Sequence, residues 1–215
     1  MGKVIFNSKE DWLEFRKGKI TGTTASAIIG KNPYLSNTEV WEIITNRKEP
    51  KDISEKPYVV KGKYAEEHII RLFILDHPTY QLEEKEAEFV VFYDDDNPYI
   101  MATPDGILKN IETGEIGIIE IKTCDILSSR QKESWSNNNI PINYYTQLIQ
   151  EIYCSKATFG ILVVELHYSD DLTMRKTYIV YANDIKEDID WLINEEKKFF
   201  QEYVSKQKRP PLILS

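Results

Sequence analysis

The sequence is poor in cysteine, and that sets the first limits. Two cysteines among 215 residues, Cys124 and Cys154, cannot build a disulfide framework. Nor can they supply the thiolates of an iron–sulfur cluster. Histidine is equally scarce: His68, His77 and His167 lack any zinc-ligand spacing and read as structural. No apolar run approaches the eighteen or so residues that suggest a membrane span. The opening MGKVIFNSKEDW has no signal-peptide pattern, and Phe6 stands where a myristoylation motif needs Ser or Thr. These absences predict an intracellular, cytoplasmic protein with no membrane partner. Net positive charge is also missing, since 27 Lys and Arg against 35 Asp and Glu leave −8. Nucleic-acid binders usually carry a basic footprint. Screening over about 8 Å nevertheless lets a local basic patch act within an acidic whole, and clustered acids can hold a cation.

What is present supports a packed core. Apolar residues make up 41% and charged residues 29%, outside the disordered class. Ser8 before Asp11 has the look of an N-cap, followed by Trp12, Leu13 and Phe15 on one helix face up to Gly18. TGTTASAIIG predicts a turn and a short helix ending at Gly30. Ser36 or Asn37 caps a helix through Ile44, and KGKYAEEHIIRLFIL predicts another, ended near His77-Pro78. The period then changes. EFVVFY, YIMA and GIIEIK are β-rich runs separated by turn residues. A helix near 127–135 and a second from Asn143 to Cys154 follow. ATFGILVVEL and MRKTYIVYA are strands joined by the acidic turn SDDL, and an amphipathic helix capped by Asn183 or Asp184 closes the order. The tail KQKRPPLILS reads as loose or as a contact segment. This order predicts an α/β domain with a central mixed β-sheet flanked by helices, preceded by N-terminal helices. One domain covers 1–215: a helical part over about 8–77, a sheet core over about 80–182 and a C-terminal helix over about 184–205.

The informative stretch is TPDGILKNIETGEIGIIEIK, residues 103–122. On a strand, residues two apart face the same side, so Glu120 and Lys122 project together from a run of isoleucines. If the two strands around ETGE pair, Asp105 falls beside Glu120. Carboxylates held that close repel one another, and a proton or a divalent metal relieves the repulsion. A hard oxygen site suits magnesium or manganese. Lys122 beside such an ion can orient a water and stabilise charge on a phosphate under attack. Glu66 adds a third acid, because spacings of three and four put it on the helix face of Ile69, Ile70 and Phe73. Taken singly, a DG turn is usually only a turn and an ExK pair usually a surface ion pair. The ordered set is what points to phosphodiester hydrolysis.

At these residues the chain resembles the PD-(D/E)XK nuclease superfamily, and more narrowly the phage lambda exonuclease or YqaJ type. RKGKITGTTASAIIG (16–30), GKYAEEHI (62–69), TPDG with EIK, and YYTQLIQ (144–150) resemble that family's blocks in order. The resemblance implies a restriction-endonuclease-like core. It makes Glu66, Asp105 and Glu120 metal ligands, with the Ile121 carbonyl as another, around Mg2+ or Mn2+. It makes Lys122 the catalytic lysine and puts Gln147 at the edge of the site. Arg16 and Thr23 become ligands of a terminal 5′-phosphate, with Thr24 and Ser26 as alternatives to Thr23. That role also makes sense physically, since a guanidinium fork and a hydroxyl suit phosphate oxygens. The implied activity is a 5′-to-3′ exonuclease on linear duplex DNA that leaves 3′ single-stranded tails for phage or prophage recombination. A single-strand annealing protein and a trimeric ring of subunits are the implied partners. An endonuclease of the same fold, or a catalytically silent DNA-binding protein, is the alternative.

The remaining candidates are weaker. Lys19 and Lys31, with Lys17, Lys61 and Lys63, flank the first two blocks and suit DNA backbone, although any one of them also fits an ordinary solvated surface. Tyr144 and Tyr34 suit sugar or base contact, and Tyr145 suits the core. Cys124 reads as a small buried hydrophobe, and Asp94-Asp95-Asp96 as a solvated turn without calcium-loop spacing.

Overall fold

The computed structural model describes residues 1–83, 89–169 and 172–214. Glu88 of the first predicted β run and Asp170-Asp171 of the acidic turn fall outside the described residues. The elements begin with β1 (Gly2–Phe6), α1 (Lys9–Arg16), β2 (Ile20–Thr21), α2 (Gly22–Ile28) and α3 (Asn37–Ile44). They continue with α4 (Pro57–Asp76), β3 (Tyr80–Leu82), β4 (Phe89–Tyr93), β5 (Ile100–Ala102), β6 (Gly106–Asn110) and β7 (Ile116–Asp125). Then come α5 (Ser129–Ser134), α6 (Ile142–Ser155), β8 (Phe159–Ser169), β9 (Leu172–Tyr181) and α7 (Lys186–Phe199). A π-helical turn over Phe200–Val204 extends α7.

The expected mixed sheet is five-stranded, in the order β3-β6-β7-β8-β9. Its middle strand β7 runs antiparallel to β6 and parallel to β8. A second sheet, β1-β4-β5-β2, was not foreseen. Its strand β1 pairs antiparallel with β4, so the first residues are sheet rather than a lead-in to helix. The YIMA run and the strand that pairs across ETGE lie in different sheets. β5 ends at Ala102 in the second sheet and β6 begins at Gly106 in the first. Pro104, which has no N–H for a ladder, lies in the crossing between them.

Local chemistry explains several helix ends. The Asp11 N–H donates to Ser8 Oγ at 3.1 Å, capping α1. Ser36 and Glu39 form a capping box on α3. Pro57 sits in the first turn of α4, so that helix starts earlier than its apolar pattern suggested. One expectation fails, and one left open between two readings is decided. The residue at the N-cap of α7 is Ile185, with no side-chain cap, because Asn183 and Asp184 lie in the preceding turn. The tail is not loose: Asn37 Nδ2 donates to the Pro211 carbonyl at 2.8 Å and Asn37 Oδ1 accepts from the Ile213 N–H at 3.1 Å.

The two faces of the five-stranded sheet carry separate cores. Ile69, Ile70 and Phe73 of α4 pack on Leu108, Ile119, Ile121, Ile161 and Val163. On the other face Leu148 and Ile152 of α6 pack on Ile118, Leu162, Val164 and Leu166. α6 also reaches the second sheet, through Cys154 and Tyr153 beside Ile100 and Ala102. A helix held between two layers is buried nearly all round. Every residue of α6 from Thr146 to Ile152 is buried accordingly, including Thr146, Gln147, Gln150 and Glu151. Four polar side chains in the most enclosed helix call for partners.

Candidate active site

Alternation along β7 sends Ile119 and Ile121 to the α4 side and Glu120 and Lys122 to the α6 side. Glu120 is 3% exposed. Its Oε1 accepts from Gln147 Nε2 at 2.5 Å and from the Lys122 ammonium. Asp105 reaches the same place from the sheet crossing. Gly106 pairs with Ile119, so one step further Asp105 stands opposite Glu120, and its Oδ2 accepts the Ile121 N–H at 2.7 Å. The pairing of the two strands around ETGE, on which the proximity of Asp105 and Glu120 depended, is therefore present.

Electrostatics fixes the state of the lysine. Burial is the largest influence on the Lys122 ammonium and lowers its pKa. The charges of Glu120, Asp105 and Glu151 act the other way and together outweigh it, so the net shift is upward. Lys122 stays protonated at neutral pH. It is suited to steadying negative charge, not to removing a proton.

Glu151 escaped the sequence reading. Its Oε1 accepts from Gln147 Nε2 at 2.9 Å, so one amide group bridges Glu151 and Glu120. Burial, followed by the charge of Glu120, pushes the Glu151 carboxyl well above the ordinary carboxylate range, against the pull of Lys122 and the Gln147 bond. The signal was available: Glu151 stands four residues after Gln147, on the same helix face.

Among the described residues, no three His, Cys, Asp or Glu side chains are placed to hold one ion. Asp105 and Glu120 are neighbours, whereas Glu66 comes from α4, which packs on the opposite face of the sheet. At Gly62, one turn before Glu66, α4 runs close to β7: a Cβ there would lie 3.2 Å from Thr123 Oγ1. The donor chemistry fits a hard divalent ion all the same. Glu120 Oε2 is buried without a hydrogen-bond partner, and a cation beside it and Asp105 would compensate that oxygen.

The first block forms the neighbouring wall. Gly22, the first residue of α2, presses on α6; a Cβ there would lie 3.0 Å from Gln147 Cγ and 3.5 Å from Glu151 Oε1. The three candidate hydroxyls now differ. Thr24 Oγ1 accepts from the Thr21 N–H at 3.0 Å and donates to the Thr21 carbonyl at 2.9 Å, which commits it to holding the helix start. Ser26 is fully buried and accepts from Asn32 Nδ2 at 2.9 Å. Thr23 is exposed, and its hydroxyl lies 3.0 Å from that of Thr21, a second hydroxyl the sequence reading passed over. The Arg16 guanidinium lies over the Trp12 ring, 4.1 Å from its centroid. Partial burial of this guanidinium lowers its pKa.

The weaker candidates separate as well. Lys31 is exposed, while Lys19 lies over the Phe15 ring at 4.3 Å. Tyr144 stacks on Trp135, with centroids 5.4 Å apart, and its hydroxyl lies 3.3 Å from Cys124 Sγ; both roles are those of a packed residue. Tyr145 donates to Asp188 Oδ2 at 2.6 Å, and Tyr34 is 78% exposed. His77 stacks on Phe73. Asp94 is buried and accepts from Tyr153 Oη at 2.7 Å, so it pins a turn instead of standing in solvent.

The model of the YqaJ-like viral recombinase domain matches residues 11–158. The fold is similar to that of the alkaline exonuclease LHK-Exo of Laribacter hongkongensis, with TM-score 0.66, 17% identity, and coverage of 92% of this chain and 94% of that one. The complex of LHK-Exo with dAMP gives the same values. A phage-related exonuclease from Haemophilus somnus 129PT is similar at TM-score 0.56 and 13% identity, over 88% of this chain and 96% of that one. No curated protein sequence matches.

Proposed function

The chain belongs to the YqaJ-like viral recombinase domain family, and from that premise we propose that it is a metal-dependent nuclease degrading linear duplex DNA from its 5′ ends. The observation that carries this reading is the pairing of buried Glu120 with half-buried Lys122, with Asp105 beside them and Gln147 bonded to Glu120. An acid and an amine held among isoleucines cost stability. Their retention next to a second carboxylate makes sense as chemistry.

In this reading Asp105 and Glu120 would hold Mg2+ or Mn2+ together with the Ile121 carbonyl, and Glu66 would join them only by reaching past β7 where α4 runs close to Thr123. When bound, the ion supplies Lewis-acid polarisation of the scissile phosphate and of a water. The chain does the rest. Glu120 holds the Lys122 ammonium against the place where the phosphate gathers charge. Gln147 fixes Glu120 through its amide N–H. Arg16 and Thr23, with Thr21, take the terminal 5′-phosphate, and Lys19 and Lys31 add salt-dependent contacts with the DNA backbone. The products are nucleotides and 3′ single-stranded tails. The tails suit a single-strand annealing partner in phage-type recombination, and a trimeric ring would keep the enzyme on its track.

Linear and circular duplexes, with and without 5′-phosphate, are incubated with the protein in Mg2+ and in EDTA. Loss of linear DNA but not of circles, faster with a 5′-phosphate than without and only with the metal, is expected. Equal degradation of circles would move the assignment to an endonuclease of the same fold.

A further inference from the structure

Gln150 is fully buried, and its amide N–H groups are spent on two backbone carbonyls from different strands. Nε2 donates to the Ile20 carbonyl at 3.2 Å and to the Met101 carbonyl at 2.8 Å. Ile20 belongs to β2 and Met101 to β5, which pair in parallel over two residues only, Ile20 with Ile100 and Thr21 with Met101. So short a ladder holds little by itself. Among the described residues no group bonds the buried Gln150 Oε1. The opposite rotamer would set that oxygen against two carbonyl oxygens, so the amide has one workable orientation.

The two carbonyls sit just upstream of the two halves of the candidate site. Ile20 leads into Thr21, Gly22 and Thr23, and Met101 leads through Thr103 and Pro104 into Asp105. One turn earlier on α6, Gln147 bonds Glu120, and Gly22 rests on Gln147. Helix residues three apart share a face. A single face of α6 thus touches the segment read as the end-phosphate site, the crossing that carries Asp105 and the strand that carries Glu120.

We propose that Gln150 is a positioning residue that sets the distance between the terminal-phosphate segment and the metal core, and thereby selects which phosphodiester is cut. The proposal rests on reading Arg16 and Thr23 as ligands of the 5′-phosphate. Were that span free to vary, the enzyme would still hydrolyse DNA but would release products of mixed length. A shift of about 1 Å is enough to cost on the order of a hundredfold in a positioned reaction.

The test compares wild type with Gln150→Met, which keeps length but has no donor, and with Ile152→Val, a core change on the same helix. Two quantities are read on 5′-phosphorylated and 5′-hydroxyl duplexes: product length, and the ratio of the two kcat/KM values. In Gln150→Met the ratio is expected to fall about tenfold or more, which corresponds to a change of about 1.4 kcal/mol in end binding, and a single product length to become a mixture. Ile152→Val is expected to leave both unchanged. Gln150→Glu, which keeps the shape and one donor when protonated, provides the same readout if Gln150→Met does not fold. A slower variant with the wild-type ratio and product length would show a purely structural tie and overturn the proposal. Absence of any 5′-phosphate preference in wild type would instead overturn the reading of Arg16 and Thr23, and the proposal with it.

Discussion

Glu196 offers the sharpest physical prediction. It lies on α7, fully buried, and among the described residues no group hydrogen-bonds either carboxyl oxygen. Burial raises its pKa well above 4.5, and its charge would act on Cys154 and Tyr99. Unfolded, the group loses its proton near 4.5; folded, it keeps the proton to a higher pH. Folding therefore takes up a proton between the two values. The contribution is fully present below the unfolded pKa and is lost as pH rises toward the folded one. The slope is about 1.4 kcal/mol per pH unit within that window. Glu196→Gln removes the titration, and Glu196→Leu also removes the polar group, whose unsatisfied burial costs about 1–3 kcal/mol. Denaturant unfolding from pH 5 to pH 8 should show both variants gaining on wild type as pH rises, until the folded-state pKa of Glu196 is passed. For Glu196→Leu at pH 8, melting should rise by about 2–4 °C for each kcal/mol gained. A difference between variant and wild type that stays constant over this range would refute the assignment of a buried, protonated carboxyl.

Lys122→Ala should lower DNA cleavage by about 100-fold or more while leaving DNA retention in a gel-shift assay intact. Arg16→Ala should weaken use of 5′-phosphorylated ends by about tenfold or more, since hydrogen bonds to charged groups are worth roughly 1.5–3 kcal/mol, with little effect on 5′-hydroxyl ends. Thr24→Ala should cost about 1 kcal/mol in thermal unfolding through the lost helix-start bonds, whereas Thr23→Ala should leave stability unchanged and reduce end preference. Gly22→Val should push Gln147 away from Glu120 and reduce turnover; crowding of this kind costs about 1–3 kcal/mol, and wild-type turnover in the variant would count against the Gly22–Gln147 contact.

The sequence made some of this legible and hid the rest for physical reasons. Glu120 and Lys122 stood out because the period of two puts an acid and an amine together on one face of an isoleucine-rich strand. Ser8 and Ser36 declared their helices because capping is local chemistry. β1 did not, because GKVIF becomes a strand only by pairing with β4 far along the chain. Gln150 gave no warning either, since its burial follows from α6 lying between two sheets, which no local pattern encodes. Thr23 could be separated from Thr24 and Ser26 only after their hydrogen bonds were seen.

The crossing at Thr103-Pro104-Asp105 has a mechanical consequence. It is anchored on one side by Ala102 in one sheet and on the other by Gly106 in the second. Any sliding of the layers past each other is delivered to the Asp105 carboxylate within three residues, with a rigid proline ring in the linkage and little slack to absorb it. Distant substitutions that loosen the seam should therefore be felt first as a change in the separation of the two acids, before any strand is lost.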